Sequence, residues 1–139
     1  MNTSTANANR TVLIVDDDDF SLELMRGVLE ELGVRNLALA SSGKSAVEAL
    51  TSLPRPPDLL ICDLYMPDMD GFEFMEALVK KNYTGNLVVC SGVSLENLVL
   101  ARDIGKGMGL HLLGAYEKPI PIGEFERMLA SLPASTDAR

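Results

Sequence analysis

TVLIVDDDDFSLELMRGVLEELG, residues 11–33, contains one strand, one acidic turn and one helix in that order, and the chain beyond repeats the pattern in kind. The run at 11–16 is short and β-branched, which suits a strand buried on both faces. Four aspartates, 16–19, bound it. Beyond them Leu22, Met25, Leu29 and Leu32 recur at spacings of three and four, the stripe of a helix that buries one side, and Gly33 is a stop signal.

Working outward, NLALA at 36–40 reads as a second strand, and SGKSAVEAL opens a second helix that ends before the loop PRPP. DLLICD at 58–63 is another doubly buried strand; the loop LYMPDMDG then leads into a third helix with Phe72, Met75 and Val79 as its apolar stripe. NLVVCS at 86–91 is the fourth strand. A fourth helix is expected from near Ser94, fraying in IGKGMG, followed by a strand at LLGAY and a fifth helix marked by Phe125, Met128, Leu129 and Leu132. Five βα units in strict alternation predict an α/β fold, a parallel sheet with helices on both sides and right-handed crossovers.

Composition fits one domain. The chain has 139 residues, 47% of them hydrophobic and 5% aromatic with no Trp, so aliphatic side chains and Met fill the core. Residues 1–10 are expected to be a disordered leader, 11–132 the domain, and 133–139 a tail or the start of a linker. A formal charge of −8, with twelve scattered Lys and Arg, argues against a nucleic-acid surface. Neither a long apolar run nor the apolar centre of a signal peptide occurs, so no membrane contact and a cytoplasmic location are expected. Two cysteines are too few for a disulfide scaffold or a zinc site, and buried thiols are the expectation. Because Cys62 and Cys90 fall on strands expected to be neighbours, a crosslink formed outside the cell is the second reading.

In a sheet of this kind, ligands bind beyond the carboxyl ends of the strands. Those ends carry Asp16 and Asp17, Asp63, Ser91 and Lys118. Taken singly, the aspartates read as helix caps or turn residues and the lysine as a complement to a helix end. Taken together they form a chemical set. Three carboxylates brought close raise one another's pKa, and a divalent cation relieves the repulsion. Oxygen ligands without nitrogen or sulfur select a hard ion such as Mg²⁺. A carboxylate can also attack phosphorus to give an acyl phosphate, with lysine and hydroxyl donors stabilising the transferred charge.

At this point the residues resemble a known family. IVDD at 14–17, DLYMPDMDG at 63–71, SG at 91–92 and EKP at 117–119, in this order and spacing, are similar to the receiver domain of two-component response regulators. The resemblance covers about residues 11–132 and implies a flavodoxin-like, doubly wound five-stranded parallel sheet, strand order 2-1-3-4-5, with five helices. It also implies Asp63 as phosphoacceptor and Asp17 and Asp63 as direct Mg²⁺ ligands. Asp16 would act through water, and the backbone carbonyl of Tyr65 would be a further ligand. Lys118 would pair with the phosphoryl oxygens, Ser91 would hydrogen-bond them, and Pro119 would follow a cis peptide. The partners implied are a sensor histidine kinase or phosphotransfer protein, a C-terminal output domain in a longer parent chain, and a second copy of the domain. GLHLLGAYEKPI at 109–120 resembles receivers that precede an EAL-type cyclic-di-GMP phosphodiesterase.

Two departures stand out. The family's switch aromatic usually lies three residues before the lysine, where this chain has Ala115; Tyr116 is one further on and should face the opposite side of the strand. Asp18 and Asp19 extend the acidic pair and read as N-caps of the first helix. His111 reads as a surface residue. Tyr65 and Val93, two residues beyond Asp63 and Ser91, are expected to restrict water at an acyl phosphate. Two other classes compete: a Mg²⁺-dependent phosphohydrolase with Asp63 as nucleophile, and a degenerate receiver used only for docking. The first would need a second acid, which Asp63-Leu64-Tyr65 lacks two residues on; the complete acid, hydroxyl and lysine set speaks against the second.

Overall fold

The computed structural model describes residues 6–92 and 95–133. Five strands alternate with five helices: β1 Thr11–Val15, α1 Asp19–Glu31, β2 Asn36–Ala40, α2 Gly43–Ser52, β3 Leu59–Asp63, α3 Gly71–Lys80, β4 Asn86–Ser91, α4 Leu95–Gly107, β5 His111–Glu117 and α5 Ile122–Ala130. The strands form one sheet in the order β2-β1-β3-β4-β5, all parallel, as expected.

Alternation along the strands divides the core in two. Leu13, Val15, Leu60, Cys62, Leu87 and Val89 point to a face packed with Phe74, Met75, Leu78, Leu98 and Ala101 from α3 and α4. Val12, Ile14, Leu59, Ile61, Val88 and Cys90 point to the other face, against Leu22, Met25 and Leu29 of α1 and Phe125, Met128 and Leu129 of α5. Both faces of the central strands are therefore dry, which is why those strands read as continuous apolar runs. The same alternation settles the cysteines. Cys62 and Cys90 are free and buried on opposite faces of the sheet, so their side chains point apart and cannot bridge without backbone movement.

At three places the structure corrects or sharpens the local reading. In α3 the buried side chains are Phe74, Met75 and Leu78, whereas Phe72 is half-buried and Val79 is 40% exposed. Apolar residues sit at both helical phases there, and the close approach of Gly71 to Leu64 selects between them: a Cβ at Gly71 would lie 2.5 Å from Leu64 Cδ2. Next, α4 ends at Gly107, inside IGKGMG as expected, while its expected start near Ser94, like Val93 before it, lies outside the described residues. Finally, β5 contains a bulge. Leu87 pairs with Leu112 and Val88 with Gly114, so Leu113 is an extra residue. Gly114 fits because a Cβ there would meet the Tyr116 ring at 2.9 Å.

The expected leader divides. Residues 1–5 lie outside the described set, but Asn7 and Arg10 are buried against the domain. The Asn7 amide donates to the Leu32 carbonyl at 2.7 Å, at the end of α1. The Arg10 guanidinium donates to the carbonyls of Leu132 and Pro133, just past α5. Nothing in the polarity of MNTSTANANR signals these contacts, because carbonyls left over at helix ends are acceptors that any nearby donor can use.

Candidate functional site

Strand ends build the site. Asp16 follows β1 immediately and its N–H donates to the Ala40 carbonyl at 3.1 Å, which extends the sheet one residue past the strand. Its Oδ1 accepts from the Asp18 N–H at 2.9 Å, and Asp18 in turn caps α1 by accepting from the Phe20 N–H at 3.0 Å. Of the two acids expected to cap α1, Asp18 does so, and Asp19 is the first helical residue. Asp63 ends β3, and the next residue continues the ladder through a 2.9 Å bond from the Leu64 N–H to the Cys90 carbonyl. Lys118 follows β5, where its N–H donates to the Ser91 carbonyl at 2.8 Å and fixes the lysine beside the end of β4. The Lys118–Pro119 peptide is cis.

These placements bring the predicted residues together. Asp16 and Ser91 are fully buried and Asp63 is 5% exposed, while Asp17 faces solvent. Lys118 Nζ lies 2.8 Å from Asp16 Oδ2 and 3.3 Å from Asp63 Oδ2. Tyr65 donates its backbone N–H to Asp63 Oδ1 at 3.3 Å. Carboxylate oxygens of Asp16, Asp17 and Asp63 come within 4.8 Å of one another.

Electrostatics follow from this crowding. Burial and the neighbouring Asp16 charge push the Asp63 carboxyl up to about 6, against the pull of Lys118 and the Tyr65 N–H. Burial works against the Lys118 ammonium, but its hydrogen bond to Asp16 and the two carboxylate charges outweigh that and carry its pKa upward. Burial likewise raises both thiols, Cys62 and Cys90, so neither is a nucleophile at neutral pH.

One lysine against three carboxylates leaves excess negative charge, and the cluster contains no nitrogen or sulfur donor. That donor set fits a hard divalent cation, with Asp16, Asp17 and Asp63 to hold it. The Lys118 ammonium over two of these acids, with Ser91 buried at the adjacent strand end, makes a site suited to a group that carries spread negative charge.

Two residues near the site carry roles that the sequence did not signal. Asp68, in the loop after Asp63, accepts from the N–H groups of Gly43 at 3.1 Å and Lys44 at 3.0 Å, so it clips that loop to the start of α2. Those bonds to backbone donors hold its carboxyl below the usual range. Asn97, in the first turn of α4, donates its side-chain amide to the Tyr65 hydroxyl. Both are long-range contacts of residue types that usually cap or turn locally. On β5, Ala115 packs towards the α3 and α4 face and Tyr116 towards the α1 and α5 face, as strand alternation required. His111 is exposed, also as expected.

Comparison with known proteins agrees with the geometry. The family described as "Response regulator receiver domain" matches residues 12–129. A protein-glutamate methylesterase/protein-glutamine glutaminase of Hahella chejuensis is 36% identical over 93 residues, 67% of this chain and 26% of that protein. The chemotaxis protein CheY of Thermotoga maritima is 29% identical over 91 residues, 66% of this chain and 74% of its own length. Among solved structures, a response regulator from Colwellia psychrerythraea superposes with a TM-score of 0.74 at 28% identity, covering 88% of this chain and 94% of that one. Among the described residues no helix is long and apolar enough to cross a membrane.

Proposed function

Since the chain belongs to the response regulator receiver domain family, we propose that it accepts a phosphoryl group on Asp63 from a histidine kinase or phosphotransfer protein and passes the signal on as a change of shape. The observation that carries this reading is the position of Lys118 Nζ between Asp16 and Asp63, 2.8 and 3.3 Å away, over a buried acid whose pKa is about 6. Above that pH Asp63 is ionised and needs no separate base. One of its oxygens forms the bond to phosphorus; the bond from phosphorus to the donor's imidazole nitrogen or acetyl oxygen breaks, and the electron pair leaves with that atom.

Lys118 would neutralise the incoming phosphoryl oxygens and Ser91 would donate to them. Asp16, Asp17, Asp63 and the Tyr65 carbonyl would hold Mg²⁺, with Asp16 acting through water. A bound Mg²⁺ would supply Lewis-acid neutralisation of phosphoryl charge. The unit we assign this role is the expected 11–132 together with residues 6–10, in the cytoplasm.

For output we favour the α4, β5 and α5 face. It carries exposed Val99, Leu100, Ile104 and Ile122, apolar surface suited to a second copy or an output domain. The EAL-type continuation rests on residues 109–120 alone and finds no support in the relatives named above.

Intact mass after acetyl phosphate with Mg²⁺ tests the proposal. The expected result is a gain of one HPO₃ in the wild type and none in Asp63→Asn. Continuous phosphate release without an adduct would mean a hydrolase instead, and no reaction a docking domain.

A further inference from the structure

We propose that Asn97 is a positioning residue that fixes the lifetime of the phosphorylated state, because its amide holds the Tyr65 side chain across the mouth of the acidic pocket. The inference rests on the reading of Asp63 as phosphoacceptor and adds to it a residue, on a different element, that acts without touching the reacting atoms.

Tyr65 is tied at both ends. Its backbone N–H donates to Asp63 Oδ1 at 3.3 Å, so the residue begins at the phosphoacceptor itself. Its hydroxyl accepts from the Asn97 side chain in the first turn of α4. The side chain therefore spans from the loop after β3 to the start of α4. The span starts two residues beyond Asp63, which ends β3, and finishes on the helix that follows β4, the strand that Ser91 ends.

Hydrolysis of an acyl phosphate sets the geometric demand. A water oxygen must reach phosphorus in line, forming the new bond; the bond between phosphorus and the Asp63 oxygen breaks, the carboxylate is regenerated, and the proton of the water leaves with inorganic phosphate or to solvent. Asp16 and Ser91 are fully buried and Asp63 nearly so, which leaves the solvent side as the direction of approach. Tyr65 stands on that side, 41% exposed. A tyrosine so exposed has other rotamers within reach of water, and one hydrogen bond from α4 biases it towards the spanning one. Loss of that bond frees the ring without removing it.

The experiment labels the full chain with acetyl phosphate and Mg²⁺, removes the donor by desalting, and follows loss of the HPO₃ adduct by intact mass. The variants are Asn97→Ala, Tyr65→Phe, which keeps the ring and removes the hydroxyl, Tyr65→Ala, and the double variant Tyr65→Phe/Asn97→Ala. Asn97→Ala and Tyr65→Phe are each expected to lose the adduct roughly threefold to tenfold faster than wild type, the range one net hydrogen bond supports. The double variant is expected to decay no faster than either single one, because both remove the same bond. Tyr65→Ala should be at least as fast. A general loosening of the fold would not produce that non-additivity.

Decay of Asn97→Ala at the wild-type rate would overturn the proposal. So would full additivity in the double variant, or a Tyr65→Ala adduct as long-lived as the wild type's. A wild-type chain that takes no label would remove the phosphoacceptor reading and this one with it; labelled wild type with an unchanged Asn97→Ala removes this one alone.

Discussion

Asp63 has a folded-state pKa of about 6 against an ordinary value of 3.8, and the direction of that shift fixes its effect on stability. A carboxyl whose pKa is raised by folding favours the native state fully below its unfolded pKa, and the advantage is lost as pH rises through the folded pKa. Between about pH 4 and 6, therefore, ionising Asp63 weakens the fold in the absence of a divalent cation. An amide in place of that carboxyl does not titrate. We expect Asp63→Asn in EDTA to melt above wild type at pH 7.5, by on the order of 1–3 kcal/mol, and the gap to close below about pH 4. Thermal melts of both chains across that range give the answer; a gap that widens towards acid would contradict the buried, charge-crowded environment. Asp16 sits even deeper, but Lys118 bonds it at 2.8 Å, which shows how one cation is divided unequally between two acids.

Among the elements, α1 and α5 end on carbonyls that the segment before β1 satisfies. Asn7 serves Leu32, and Arg10 serves Leu132 and Pro133. Arg10 is only 7% exposed, and its Nε is without a hydrogen-bond partner among the described residues, so part of what the two carbonyl bonds gain is offset. Arg10→Met keeps the apolar stem and removes the donors, which separates packing from hydrogen bonding. The expected cost is roughly 1.5–3 kcal/mol, the worth of hydrogen bonds to a charged group. In urea it would appear as a lower midpoint with an unchanged slope, together with faster amide exchange at 129–132. A midpoint equal to wild type would show that these contacts contribute nothing net.

At the scale of the whole molecule, the sheet order and the gathering of Asp16, Asp17, Asp63, Ser91 and Lys118 were legible, because doubly buried strands leave long apolar runs and their carboxyl ends must meet at one edge. The β5 bulge at Leu113, the phase of α3 and the contacts of Arg10, Asp68 and Asn97 were not: each depends on which distant backbone or ring a residue meets, and local periodicity carries no record of that. The legible part has a consequence for the molecule as one thermodynamic unit. Three carboxylates assembled from separate strand ends exist as a cluster only in the native state, so an ion that binds the cluster must stabilise the entire fold. With free Mg²⁺ at about a hundred times its dissociation constant, the gain is about 2.7 kcal/mol, which for a chain of this size raises Tm by several degrees. Asp17→Asn, at the exposed member of the cluster, should reduce that rise while leaving the melting temperature in EDTA nearly unchanged, since an exposed carboxylate contributes little on its own. Calorimetric scans of both chains with and without Mg²⁺ test this, and an equal rise in the two would mean that the ion binds somewhere other than the strand ends.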